Sequence, residues 1–129
     1  MTAALVLPDL STAEAFVAWM ATRPQKFEMV HSRLVLVTGA SNAHVTIAVN
    51  VFVALRLALR GQRCRPYNSD FLVEIGPKHR FYPDVSVAYD ETRDYSDRPV
   101  MVVEVLCENT EQFDYEVKLP AYLAKPGLA

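Results

Sequence analysis

Cysteine is scarce in this chain of 129 residues: Cys64 and Cys107 are the only two. That is too few for a disulfide framework, and no His/Cys spacing resembles a zinc-ligand cluster. An excess of positive charge is missing too. The formal net charge is -2, so a global basic field of the kind many nucleic-acid binders use is excluded, and any such contact must come from a local patch. No apolar run approaches the ~18 residues of a membrane-spanning helix. The N-terminus lacks the basic segment and apolar stretch of a secretory signal. These absences predict a cytoplasmic protein with no membrane partner. There is no internal repeat or low-complexity tract. What is present is an ordinary globular composition, 51% hydrophobic and 22% charged, which fits one domain over 1–129.

Residues 1–10 read as a loosely held arm. Ser11-Thr12-Ala13-Glu14 has the form of a capping box with Ser11 as N-cap, opening a helix that carries Phe16, Val17, Trp19 and Met20 and stops before Pro24. Trp19 is expected in the core. Strands are predicted over 26–30 and 33–37 and join at His31-Ser32, a weaker hairpin signal than Asp-Gly. Ser41 or Asn42 can cap a helix over 43–60, with Gly61 just past its end. That helix is apolar nearly all round, which predicts a place in the core.

Strands over 71–75 and 82–89 are expected to form a hairpin about Gly76-Pro77-Lys78. Residues 90–99 read as an exposed loop. The continuous aliphatic run over 100–106 predicts a strand buried on both faces. Glu108-Asn109-Thr110 should cap a last helix running to Val117 or beyond, which Pro120 kinks or restarts. The fold class is therefore α/β, a central mixed sheet flanked by helices.

The chemistry concentrates between Phe81 and Lys118. Asp84 and Glu104 sit one each in two β-rich runs, and Glu104 has three apolar neighbours before it and two after it. A carboxylate there is costly to bury unless something pairs with it or binds it. Two acids on adjacent strands with Lys118 nearby suit a magnesium site for phosphodiester chemistry. The plain alternatives are a solvent-facing Glu104 and a turn residue at Asp84. Two basic clusters, Arg56, Arg60 and Arg63 with Arg65 beyond, and Lys78 and Arg80 with His79 between, are either solvated surface or phosphate contacts.

Tyr82-Pro83-Asp84-Val85, Val103-Glu104-Val105-Leu106 and Asp114 followed by Lys118-Leu119-Pro120-Ala121-Tyr122 together resemble the Uma-type restriction-endonuclease family of the PD-(D/E)xK nuclease superfamily. In that family the lysine lies on the helix after the glutamate strand, and Leu106 stands where other members of the superfamily carry it. The resemblance extends upstream to Phe27-Glu28-Met29-Val30, His44 and Asn68-Ser69-Asp70. It implies a restriction-endonuclease-like core and a metal-dependent endonuclease acting on DNA, with Asp84, Glu104 and Lys118 catalytic. Mg²⁺ or Mn²⁺ would be held by Asp84, Glu104 and the Val105 carbonyl. Glu28 and His44 would assist, although a surface strand charge and a histidine packing at a helix end are the plain readings of them. Asp114, one helical turn before Lys118, either pairs with it or is solvated.

The chain departs from the family pattern at three points. It lacks the Asp-Gly-Glu type turn at His31-Ser32, and Cys107 replaces a serine. It also ends where the family continues with roughly another hairpin, which predicts an uncovered edge or groove and self-association, for instance as a homodimer. A catalytically inactive binding or scaffold module on the same fold is the alternative function.

Overall fold

The computed structural model describes residues 10–89, 91–108 and 110–129. Most of the expected N-terminal arm, together with Asp90 and Asn109, lies outside them. Leu10 itself packs against the core, and its carbonyl accepts from Arg80 at 2.6 Å.

Helix α1 spans Ala13–Met20, and its N-cap is Thr12 rather than Ser11: the Thr12 hydroxyl accepts from the Ala15 amide at 3.1 Å. The expected capping box does not form, because Glu14 turns to accept a hydrogen bond from the Tyr95 hydroxyl. Phe16 is the fully buried anchor of α1. Trp19 is only partly buried, packed between Phe16 and Phe27 with Arg23 over its ring.

Strands β1 (Phe27–Val30) and β2 (Arg33–Leu36) form the expected hairpin. Both turn residues are left-handed, with φ of 48° at His31 and 62° at Ser32, the twist that a two-residue hairpin needs. Helix α2 (Asn42–Ala58) is capped by Ser41, which accepts from the His44 amide. Strand β3 is Cys64–Tyr67, β4 is Leu72–Gly76, β5 is His79–Phe81 and β6 is Val85–Tyr89. After these come β7 (Tyr95–Ser96) and β8 (Met101–Val103). The chain closes with α3 (Glu111–Phe113), a π-helical turn over Asp114–Lys118 and α4 (Leu119–Leu123).

Among the described residues two sheets result: a mixed one ordered β2-β1-β5-β4-β7, in which β4 and β7 run parallel, and an antiparallel one ordered β3-β6-β8. The period of two along each strand sorts the core of the first sheet onto its two faces. Met29 and Leu72 point with Phe16 toward α1, while Val30, Val73 and Phe81 point toward Phe113, Val117 and Tyr122 of the C-terminal helix. Helices thus flank the mixed sheet, as expected for an α/β domain.

Four sequence expectations are corrected. The strand expected over 82–89 begins only at Val85, because Pro83 has no N–H to donate to a ladder. The hairpin expected with it forms instead between β4 and the short β5, and β6 crosses to the second sheet. The loop expected over 90–99 contains β7. Strand β8 is an edge strand with Met101 partly exposed, not a doubly buried one; that place belongs to β6, which is buried from Val85 to Ala88. The Ala129 backbone lies beside β8 and bonds to Val100 and Val102. Finally, α2 is not a core helix: it touches β3 and β6 along one side, and none of its residues is fully buried.

Candidate active site

The antiparallel register of β6 and β8 pairs Val85 with Val103 and Ser86 with Val102. One step further, the same register sets Asp84 opposite Glu104, a cross-strand pair on one face. The backbone tightens there, since the Val105 amide donates to Asp84 Oδ2 at 2.7 Å. The other oxygen, Asp84 Oδ1, lies 3.2 Å from His44 Nε2. Thus α2, held by Ser41 at its first turn, delivers the histidine that the family resemblance suggested for the site.

The C-terminal helix brings the lysine. The Leu119 amide donates to the Asp114 carbonyl, a five-residue step that defines a π turn and often marks functional sites. In an α-helix, residues four apart are offset by ~40°. The wider π turn brings Asp114 and Lys118 closer to one line, and both are buried. Lys118 Nζ lies 3.0 Å from Glu28 Oε2 and 3.5 Å from Glu104 Oε1. Asp114 aligns with Lys118 without being its ion partner. Glu28 reaches this side because it shares a strand face with Val30, which packs under the same helix; its Oε2 also accepts from the Tyr82 amide at 2.6 Å. Tyr122, one turn past Lys118, donates its hydroxyl to Glu104 Oε1 at 2.7 Å.

These contacts shift the acidities. Burial, opposed by Lys118 and reinforced by Asp84, pushes the Glu104 carboxyl up to about 8. Burial alone would lower Lys118, but Glu104 and Glu28 outweigh it and hold the ammonium above its ordinary range. Burial also raises Asp114. Tyr122 lies well above a normal phenol, from burial and then the Glu104 carboxylate. Burial thus makes Glu104 a weaker acid than usual, while its neighbours keep Lys118 charged.

Asp84, Glu104, Lys118, Glu28 and His44 come together as one constellation, with Asp114 behind Lys118. The basic residues do not join it. Arg56, Arg60 and Arg63 are exposed at and beyond the far end of α2, and Lys78 is exposed in the β4–β5 turn. Arg80 is corrected: it is 2% exposed and cannot reach a nucleic acid. Its guanidinium binds Glu74 at 2.8 Å and the Leu10 carbonyl and lies over the Phe16 ring, tying the N-terminal segment to the sheet. Two contributors were not expected, the Tyr122 hydroxyl and the Val105 amide. The signal for Tyr122 was its position four residues after Lys118.

Among the described residues, no three His, Cys, Asp or Glu side chains are gathered to hold a metal ion. The donor chemistry still fits a hard cation. Asp84 and Glu104 are facing oxygen donors whose mutual repulsion a divalent ion relieves. No helix of the described residues is long and apolar enough to cross a membrane.

A family model described as "Uma2: Putative restriction endonuclease" matches residues 13–129. The uncharacterised protein slr1290 of Synechocystis is 30% identical over 126 residues, covering 94% of this chain and 66% of that protein. A crystal structure from Anabaena variabilis, described as that of a putative nuclease belonging to DUF820, superposes with a TM-score of 0.65 at 17% identity. It covers 85% of this chain and 66% of the other. The chain thus spans just under two thirds of each relative, and the structural likeness establishes the fold.

Proposed function

The chain belongs to the Uma2 family, and from that premise we propose that it is a metal-dependent phosphodiesterase that cuts DNA in the cytoplasm. The observation carrying this reading is the placement of Asp84 opposite Glu104 with Lys118 at 3.5 Å from Glu104. Asp84, Glu104 and the Val105 carbonyl would hold Mg²⁺ or Mn²⁺. When bound, such an ion polarises a phosphate oxygen and makes a bound water more acidic.

The chain's own residues do the rest. The Val105 amide and His44 fix the two oxygens of Asp84, so that carboxylate is oriented before any ligand arrives. Tyr122 fixes Glu104. Lys118 presents a fixed ammonium to a phosphate oxygen or an attacking water, stabilising negative charge as it builds in the transition state. Glu28 keeps that ammonium charged and aimed into the site.

One observation favours the inactive binding module instead. Lys118 lies between Glu28 and Glu104, so the protein's own ammonium answers part of the acidic charge. Cleavage of supercoiled DNA separates the two readings. The expected result is nicking that needs Mn²⁺ or Mg²⁺, stops with EDTA and is lost in Asp84→Ala and Lys118→Ala proteins with native circular dichroism. Equal residual cutting by wild type and Asp84→Ala would mark a contaminant and leave the binding module standing.

A further inference from the structure

A cavity of about 440 Å³ opens where the end of α1 meets the turn before β4 and the segment after β5. That is the size of a small-molecule pocket. Met20, Phe71 and Tyr82 give it apolar and aromatic walls. Those walls are held in place from outside. Phe71 stacks on the Tyr67 ring, with centroids 3.9 Å apart. Lys26 bonds to the Ser69 carbonyl and Asp70 Oδ1 and lies 4.8 Å from the centre of the Tyr82 ring.

The polar groups left over are few and of both signs. Lys26 and Asp70 answer each other, which leaves one cation, Arg23, and one anion, Asp94, both exposed and both lining the cavity. Among the described residues neither side chain has a hydrogen-bond partner; Arg23 only lies over the Trp19 ring, at 5.3 Å. The Tyr82 hydroxyl is likewise without one among them. With no surplus of charge, the cavity is poorly made for an ion. It suits a neutral planar ligand with an acceptor edge for the guanidinium and a donor edge for the carboxylate. Among nucleobases that is guanine. Its O6 and N7 accept from an arginine, and its N1–H and N2 amino group donate to a carboxylate. Adenine presents a donor at N6, where the guanidinium needs an acceptor.

Tyr82 joins the cavity to the site. Its amide donates to Glu28 Oε2, its side chain lines the cavity, and Asp84 is two residues on, at most ~7 Å along the chain. We propose that the cavity is a pocket for an unpaired guanine, and that on a nucleic acid it selects the nucleotide next to the phosphate being cut. The base must be unpaired, because Asp94 takes the edge that pairs with cytosine. The second half rests on the phosphodiesterase reading above.

Equilibrium dialysis in EDTA tests the pocket apart from any cutting. Guanosine should bind at one site per chain, with adenosine and cytidine at least ~10-fold weaker. Inosine, which lacks the N2 amino group, should bind more weakly than guanosine. Asp94→Ala, a change at an exposed position, should erase that difference. The single tryptophan, Trp19, reports the place: its fluorescence should change with the same midpoint. No binding of guanosine, equal binding of all these nucleosides, an unresponsive Trp19, or a guanosine preference that survives Asp94→Ala overturns the pocket. With Mn²⁺, single-stranded DNA holding one guanine should be cut within about two nucleotides of it, the reach set by the Tyr82–Asp84 separation. Cuts placed without regard to guanine, with guanosine binding intact, keep the pocket and overturn its selection of the nucleotide. No cutting at all, with guanosine binding intact, sinks the nuclease reading and leaves the pocket in place.

Discussion

At the scale of single residues, Glu104 controls how the site responds to pH. Its carboxyl titrates near 4.5 in an unfolded chain and at about 8 in the fold. Between those values the folded protein binds the extra proton, so stability falls as pH rises from ~4.5 to ~8 and levels off above. Asp114 is raised too and acts in the same direction. Lys118 is raised from 10.5, so its stabilising contribution persists through this window and is lost only in strong alkali. Glu104→Gln removes the titration and keeps the shape. Urea unfolding without metal should show the variant gaining on wild type from pH 5 to 9, by more than ~1 kcal/mol at the top, since each tenfold difference in proton affinity is worth ~1.4 kcal/mol. Adding Mg²⁺ should stabilise wild type and leave the variant nearly unmoved. A variant that is less stable at pH 9 and still responds fully to Mg²⁺ would make Glu104 a structural residue and end the proposed site.

At the scale of elements, the β1–β2 turn asks for a conformation its residues resist. Two L-residues at positive φ, His31 and Ser32, each carry roughly 1–2 kcal/mol of strain. Ser32→Gly should relieve more than glycine's added unfolded-state entropy costs, for a net gain near ~0.5–1 kcal/mol by thermal or urea unfolding. A loss of stability would mean that the Ser32 side chain matters more than the turn. Of the site's residues only Glu104, an acid among aliphatic neighbours, gave a physical signal of its own in the sequence. Asp84 and Lys118 were singled out through the order and spacing of motifs that resemble the family, since a turn residue after Pro83 or a surface charge explained them equally. Element ends followed local chemistry where it was strong, as at Ser41 and Gly61. Expectations failed where tertiary partners decided. Glu14 left the capping box for Tyr95, and Arg80 went inward because Glu74 and the Leu10 carbonyl could satisfy it. The aliphatic run at β8 could not reveal that it would lie at an edge, because periodicity reports burial pattern and not strand order.

At the scale of the whole molecule, α2 is where the sequence and the folded chain differ most. Val45, Val49, Val53 and Leu57 recur every four residues, and each is about half exposed. Residues spaced this way form the ridge used in the commonest helix pairing. Within Asn42–Ala58 the only formally charged residue is Arg56, at the C-terminal end. A second copy running antiparallel would present the same ridge, set the two Arg56 side chains at opposite ends and bury no charge, as a two-fold contact requires. Exposed apolar surface of this continuity usually marks an interface. Sedimentation of the wild-type chain should therefore show mass rising with concentration, and Val53→Lys should return it to a monomer. The same substitution should cost little stability in the monomer, within ~0.5 kcal/mol, because Val53 is already about half exposed. A wild type that stays monomeric across the range would sink the self-association, and a Val53→Lys protein that unfolds would return α2 to the core.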